Sequence, residues 1–451
     1  MNILGIHSAL NQFNHDPGAA LICGNRLIAV CEEERFNRIK SSRGHFPLWS
    51  IKGVLEEAGL KISDIDKVYT TGVTAHVTIK PHLVSFFNHY FGFVPEIVFV
   101  DHQDAHLASA YYCSSFDEAM CLSYDGIGDK SSGKLAIGKE RDIHVVETIE
   151  INQSLGNFYS AITAYLGFKP VEDEYKVMGL ASYGEESVDL SELITASESS
   201  YSINQEFFRD LGSIISNDEP LYSDKLVQLL GAPRLYGGTI EKRHIKIAHA
   251  SQKALEKCIL ALVTRLHKKT GLRNLCIAGG VGLNCSANSM LHDVSFLDEI
   301  FVQPASSDRG LPLGSALIGQ RGYDEKFVVP KNIFLGPTYR SDDYLDALKI
   351  AGVSYKRIEN PSAVAARVAE APFQPSKTKS TIVPYGDINL KSKFERLLPC
   401  VPLIVTFKSV IVPLSVTVNS PVDTFSLTQL KLDPLYSVPV ITGGSLGVLV
   451  S

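Results

Sequence analysis

An α/β fold is what this sequence predicts, and three observations predict it. Short apolar runs alternate along the chain with longer segments whose apolar residues recur at helical spacing. Glycine-rich turns such as Gly279-Gly280-Val281-Gly282 join a run to the helix that follows it. Two of the runs lead into turns that carry an aspartate, Asp125-Gly126-Ile127-Gly128-Asp129 and Pro304-Ala305-Ser306-Ser307-Asp308-Arg309-Gly310. At 451 residues the chain exceeds one hydrophobic core, so two or three domains are expected.

In chain order, residues 3–7 read as a strand, and 19–23 and 27–32 as two more joined by the turn Gly24-Asn25-Arg26. Residues 46–60 have helical spacing, 67–69 and 95–100 return to strand, and 106–112 reads as a helix. A strand over 119–124 is followed by an antiparallel pair, 134–138 and 144–149. Strands in hairpins followed by helices that cross a mixed sheet make an RNase H-like unit. A second block holds a long helix at 248–269, a buried strand at 275–278, a helix at 285–291, a strand at 299–302 and a helix at 310–319. Two such half-domains, about 1–180 and 245–330, leave a cleft suited to nucleotide and metal. The polar stretch 185–244 has no clear period and reads as an insertion over one side of that cleft.

Composition narrows the class. Apolar residues make up 45% and charged residues 20%, as in ordinary globular proteins. The net charge is −6 and the pI about 6.1, so no overall basic field draws the chain to nucleic acid or anionic lipid. Nucleic acid is therefore not an expected partner. The eight cysteines are scattered, none forms Cys-x-x-Cys, and several lie in apolar runs, which suits reduced thiols in the cytoplasm. The N-terminus enters a strand without a basic leader, and no run of 18 apolar residues suggests a membrane span.

His102 and His106 carry the sharpest chemical signal. Four positions apart on a helix, two imidazoles share one face and can grip one metal ion. Alone, such a pair is usually ordinary surface. Asp125 and Asp308, each at a strand end in a different half-domain, complete a mixed nitrogen and oxygen set. That set suits Fe(II), Mn(II) or Zn(II), and the residue types do not select among them. His15, in the loop Asn14-His15-Asp16-Pro17-Gly18, is a candidate general base, although a loop histidine is commonly plain surface. The glycines at 279, 280 and 282 allow close backbone approach to a nucleotide, with Asn284 adding a donor and an acceptor. The run Glu32-Glu33-Glu34-Arg35 reads as solvated strand-end charge. Glu174-Tyr175-Lys176-Val177-Met178-Gly179 reads as a turn after a helical stretch, with Lys176 either solvated or aimed at an anion.

Several segments in order resemble the O-carbamoyltransferases of the NodU/CmcH family, within the actin–hexokinase–chaperone (ASKHA) superfamily. They are His15-Asp16-Pro17-Gly18-Ala19-Ala20, Glu32-Glu33-Glu34-Arg35-Phe36, Asp101-His102-Gln103-Asp104-Ala105-His106 and Tyr124-Asp125-Gly126. Further on come 175–184, 278–285, and Asp308 with Gly310 and Gly314. The resemblance implies a transfer domain similar to TsaD over 1–340, with a YrdC-like domain beyond it that makes carbamoyl adenylate from carbamoyl phosphate and ATP. It implies His102, His106, Asp125 and Asp308 as metal ligands and His15 as catalytic base. It places Gly126, Lys176, Gly279, Gly280 and Asn284 along the nucleotide site. The implied acceptor is a small-molecule alcohol of the antibiotic, toxin or nodulation-factor type, and a homodimer is one assembly open to it.

Residues 341–372 read as the start of the YrdC-like domain. Residues 373–451 match nothing expected of the family, which a shifted reading frame or an interrupted gene would explain. Two other readings stand beside O-carbamoyl transfer. One is a tRNA threonylcarbamoyladenosine transferase, and the other an inactive remnant that binds nucleotide.

Overall fold

A computed structural model describes residues 1–354 except 11–13, 186–187, 210–219, 323–326 and 331. Contacts divide the chain into a compact unit, Met1–Pro337, and a second, Thr338–Ser451. In the second, the described residues hold one helix, Ser341–Ile350. The expectations for 355–372 and for the divergent tail 373–451 lie outside the described residues.

The first unit opens with strands β1 (Asn2–His7), β2 (Gly18–Cys23) and β3 (Arg26–Glu32), the short helix α1 (Glu33–Asn37) and helix α2 (Leu48–Ala58). Strand β4 (Lys67–Thr71), helix α3 (His76–Phe91), strand β5 (Glu96–Val100) and helix α4 (His102–Tyr111) follow. The sheet order is β3-β2-β1-β4-β5, antiparallel along the β1-β2-β3 meander and parallel from β1 through β4 to β5.

The same pattern then repeats. Strands β6 (Glu118–Gly128), β7 (Ser131–Lys139) and β8 (Asp142–Ile149) form a meander, followed by helices α5 (Leu155–Tyr165) and α6 (Glu174–Ala181). A small hairpin, β9 (Ile194–Ala196) and β10 (Tyr201–Ile203), precedes α7 (Asp224–Leu230) and the long α8 (Lys242–Thr270). Strand β11 (Leu275–Ala278), helix α9 (Cys285–Leu291), strand β12 (Ile300–Val302) and helix α10 (Leu311–Arg321) close the unit. The second sheet runs β12-β11-β6-β7-β8, with β11 and β12 parallel to β6. Two mixed five-stranded sheets of one topology make this an RNase H-like α/β fold.

The two repeats exchange their last helices. Helix α4 leaves β5 of the first sheet yet packs on β6, β7 and β11 of the second. Helix α10 leaves β12 of the second sheet and packs on β1, β2 and β4 of the first. The two helices also pack on each other, and small residues let them do so. A Cβ on Gly314 of α10 would fall 2.6 Å from the Ala105 carbonyl carbon of α4, and closer to its oxygen. This crossing puts the start of each exchanged helix beside the other half-domain.

Several elements depart from the sequence reading. Residues 76–91 carry no predicted element, yet they form α3, in which only Leu83 and Phe87 are buried. Too little of that helix faces the core to leave a period. Residues 174–181 are helix α6 rather than a turn. Helix α8 begins at Lys242, six residues earlier than its apolar pattern, because its first turns are polar. The stretch read as a polar insertion sends Leu193, Ile194, Ile203, Phe207 and Leu226 into the core formed with α5 and α8. No described helix is long and apolar enough to cross a membrane.

Candidate metal centre

Helix α4 starts where β5 ends, and the Asp101 side chain caps it by accepting from the Asp104 N–H at 3.0 Å. That start is pinned from the second repeat as well. Asp129, in the β6–β7 turn, accepts from the His102 N–H at 3.0 Å and from the N–H groups of Gly72 and Thr74. His102 and His106 lie one turn apart on the buried side of the helix, His106 with no exposed surface.

Asp125 sits on β6 where pairing with β7 breaks between Tyr124 and Gly128. Asp308 opens the single turn that leads into α10. One ligand atom from each of His102, His106, Asp125 and Asp308 lies within 4.8 Å of the other three. The imidazole Nε2 atoms are 3.1 Å apart, and Asp125 Oδ2 is 3.1 Å from His102 Nε2 and 3.5 Å from His106 Nε2. Asp308 Oδ1 stands 3.5 Å and 3.6 Å from the same two nitrogens.

Two imidazole nitrogens and two carboxylate oxygens pointing at one another require a shared positive charge. Burial alone would push His106 down, but its contacts with Asp125 and Asp308 outweigh that and raise it to about 9. Burial acts upward on both carboxylates. The histidines nevertheless hold Asp125 well below the usual carboxylate range, and His15, His102 and His106 do the same for Asp308. A proton on this cluster occupies the position of a small hard or borderline cation, and the donor set fits Fe(II), Mn(II) or Zn(II).

The carboxylates are held from behind. Asp125 turns Oδ2 to the histidines while Oδ1 accepts from the Gly280 N–H at 3.0 Å. Asp308 turns Oδ1 inward, and its Oδ2 lies 3.5 Å from His7 Nε2. Glycine 128 makes room for His102, since a Cβ there would lie 2.6 Å from Nδ1 and nearer still to two ring carbons. Gly128→Ala is expected to turn the imidazole away and weaken Mn(II) binding by at least ~10-fold, as losses in outer-shell support do. A Mn(II) titration of both proteins checks this, and equal affinities would refute it.

His15 lies beside the cluster, with Nδ1 3.1 Å from Asp16 Oδ2 and its carbonyl oxygen 3.1 Å from His7 Nε2. Burial lowers its basicity, but the charges of Asp308 and Asp16 and the Asp16 hydrogen bond raise it to about 9. Its neighbour His7 goes the other way, pushed down to about 4 chiefly by burial. Arg309, next to Asp308, reaches Asp16 at 3.4 Å, Glu34 at 3.2 Å and Glu32 at 3.6 Å.

A family model described as carbamoyltransferase N-terminus matches residues 2–84 and 80–317. The chain belongs to the carbamoyltransferase family. Nodulation protein NolNO of Sinorhizobium fredii is 32% identical over 390 residues, covering 80% of this chain and 54% of that protein. The uncharacterised protein sll1178 of Synechocystis is 30% identical over 394 residues, covering 77% of this chain and 62% of its own length. The chain thus spans little more than half the length of these curated relatives. Among solved structures, component A of (R)-2-hydroxyglutaryl-CoA dehydratase from Acidaminococcus fermentans is similar with a TM-score of 0.43 at 15% identity. That match covers 71% of this chain and 98% of the other.

The remaining candidates of this carbamoyltransferase chain fall into two groups. Gly126, Gly279 and Gly280 surround Asp125. Gly279 has φ +95°, and a Cβ on it would press into the Tyr124 backbone. Asn284 caps α9 through the Ala287 N–H, and its amide exchanges two 2.9 Å hydrogen bonds with Gln252. Lys176, on α6, pairs with Asp173 at 3.0 Å. The structure therefore groups the glycines with the metal cluster and engages Asn284 and Lys176 with neighbouring side chains.

No motif in the sequence alone marks a role for His7, Asp129 or Arg309. The expectation of solvated charge in the run Glu32-Glu33-Glu34-Arg35 is corrected by the structure for its three glutamates. Glu33 is buried, accepting from the Trp49 and Ser50 N–H groups at the start of α2, and Glu32 and Glu34 meet Arg309. A histidine in an otherwise apolar strand end was the available signal for His7.

Proposed function

We propose that this chain carries the transfer half of an O-carbamoyltransferase. It would pass a carbamoyl group from carbamoyl adenylate, formed from carbamoyl phosphate and ATP, to a hydroxyl of a natural-product alcohol. The observation that carries this reading is the buried cluster of two histidines and two aspartates inside a region matched by the carbamoyltransferase model. A divalent ion held by His102, His106, Asp125 and Asp308, with Fe(II) first among the candidates, would supply a Lewis acid for the acyl phosphate and neutralise the Asp308 charge that keeps His15 protonated.

The protein's own groups then have distinct tasks. Asp16, hydrogen-bonded to His15 Nδ1, orients the ring so that Nε2 is the basic atom. The acceptor oxygen attacks the carbamoyl carbon as its proton passes to His15. The bond from that carbon to the phosphate oxygen breaks, releasing AMP. Gly126, Gly279 and Gly280 offer backbone to the adenylate where side chains would obstruct it, with Lys176 and Asn284 further along the same site. Free cysteines throughout the described residues suit a reducing compartment, the cytoplasm.

The test supplies carbamoyl adenylate, Fe(II) or Mn(II) and a panel of polyhydroxylated acceptors, and follows AMP release together with the mass of the carbamate product. Acceptor-dependent release is expected, and release that ignores the acceptor would refute transfer. His15→Ala is expected to lower transfer by ~10²–10⁴-fold while metal binding persists. Unchanged turnover in that variant would remove His15 from the chemistry.

A further inference from the structure

His7 stands at the end of β1 with its imidazole buried, and three atoms surround it. Its Nε2 lies 3.1 Å from the His15 carbonyl oxygen and 3.5 Å from Asp308 Oδ2, and its Nδ1 lies 3.0 Å from Thr71 Oγ1. A carbonyl oxygen can only accept, so Nε2 carries the hydrogen. Nδ1 of the neutral ring is then the acceptor, and the Thr71 hydroxyl at the end of β4 donates to it. The surroundings thus select one tautomer.

The consequence concerns how the two carboxylates of the metal cluster are oriented. Each presents one oxygen to His102 and His106 and has an N–H group behind the other. For Asp125 the Gly280 backbone N–H donates a hydrogen bond at 3.0 Å, and for Asp308 the His7 Nε2–H faces Oδ2 at 3.5 Å, an electrostatic contact longer than a hydrogen bond. The same N–H reaches the carbonyl of His15. Metal-ligating groups depend on such outer partners for orientation.

We propose that His7 is a positioning residue that couples the metal centre to the base loop. The Nε2–H, fixed by Thr71, bonds the backbone carbonyl of His15 at 3.1 Å and faces the outer oxygen of Asp308 at 3.5 Å, where its partial positive charge steadies the carboxylate. This rests on the metal and base roles proposed above, but it concerns binding and geometry and can be tested without any carbamoyl substrate.

The experiment uses the full chain and titrates it with Mn(II), followed by electron paramagnetic resonance. His7→Leu keeps the bulk and removes the donor, and its Mn(II) affinity is expected to fall ~10–100-fold. His7→Gln returns an N–H near the position of Nε2 and is expected to recover most of that loss. Thr71→Val leaves His7 in place without its fixing donor and should give a smaller loss in the same direction. Long-range proton–nitrogen NMR of imidazole-labelled protein should show His7 as the Nε2–H tautomer, and Thr71→Val should broaden that signal or shift it.

Wild-type affinity in His7→Leu, or an Nδ1–H tautomer, would overturn the proposal. A loss in His7→Leu that His7→Gln does not relieve would also overturn it, since bulk rather than the N–H would then matter. If the wild type fails to bind Mn(II), the metal reading falls and this proposal with it. If the His7 variants behave as expected but no acceptor is carbamoylated, only the reaction assignment falls.

Discussion

His106→Ala is expected to abolish metal retention and to destabilise the metal-free protein by about 3–5 kcal/mol, the scale for removing one partner from a buried ion pair. His106 has no exposed surface, and its Nε2 stands within 3.6 Å of both carboxylates. Without it, Asp125 and Asp308 keep their mutual repulsion and lose the protonated imidazole that offsets it. Denaturant unfolding of metal-free wild type and variant measures the effect. Equal stability would show that the cluster holds no proton in the folded protein.

The same cluster gives a pH dependence whose sign can be worked out. His106 rises from 6.5 to about 9 on folding, so the folded state binds the extra proton. Its contribution to metal-free stability is complete below pH 6.5 and is lost as the pH climbs through about 9. Metal must displace that proton, so the stabilisation that Mn(II) confers should grow across the same window. Asp125 and Asp308, lowered from 3.8, add stability that is present above that value and fades as pH falls through their depressed range. Mn(II) binding to the wild type below about pH 9 should therefore release a proton, which a weakly buffered titration reads directly. Binding without proton release would show that His106 holds no displaceable proton.

Gly314→Ala is expected to be strongly damaging. The added carbon would sit 2.6 Å from the Ala105 carbonyl carbon, and neither partner is a flexible side-chain end that can swing away. Overpacking of this kind costs ~1–3 kcal/mol and occasionally more, and here backbone meets backbone. Relief requires α4 and α10 to separate. Because α4 carries His102 and His106 while Asp308 opens the turn into α10, separation also pulls the metal cluster apart. Loss of both thermal stability and Mn(II) affinity is the expected result, and a variant that keeps either at the wild-type level would show that the helices slide without parting.

Much of the fold was legible because burial dictates periodicity. Strands β1, β2, β3, β6 and β11 are apolar runs bounded by turn residues, and each lies within a few residues of its expected place. The exceptions follow the same rule in reverse. Helix α3 turns most of its surface to solvent, so its sequence shows no clear stripe. Helix α6 buries only Val177 and Ala181, and its glycine at 179 reads locally as a turn.

The candidate site divides in the same way. Residue types and local spacing nominated His102 with His106, and strand-end position nominated Asp125 and Asp308. Chain order could not show that α4 and α10 exchange sheets, and that exchange is what sets the two imidazoles of the first repeat against the two carboxylates of the second. His7 and Asp129 act through single hydrogen bonds to residues far along the chain, and no local pattern marks such contacts. By itself the sequence determined which stretches become strands and helices and which side chains can bind a cation, because those follow from local periodicity and chemistry. Only the tertiary structure decided that four such side chains meet in one buried cluster and what holds each from behind, because that depends on helices packing across the repeats at distances local sequence does not encode.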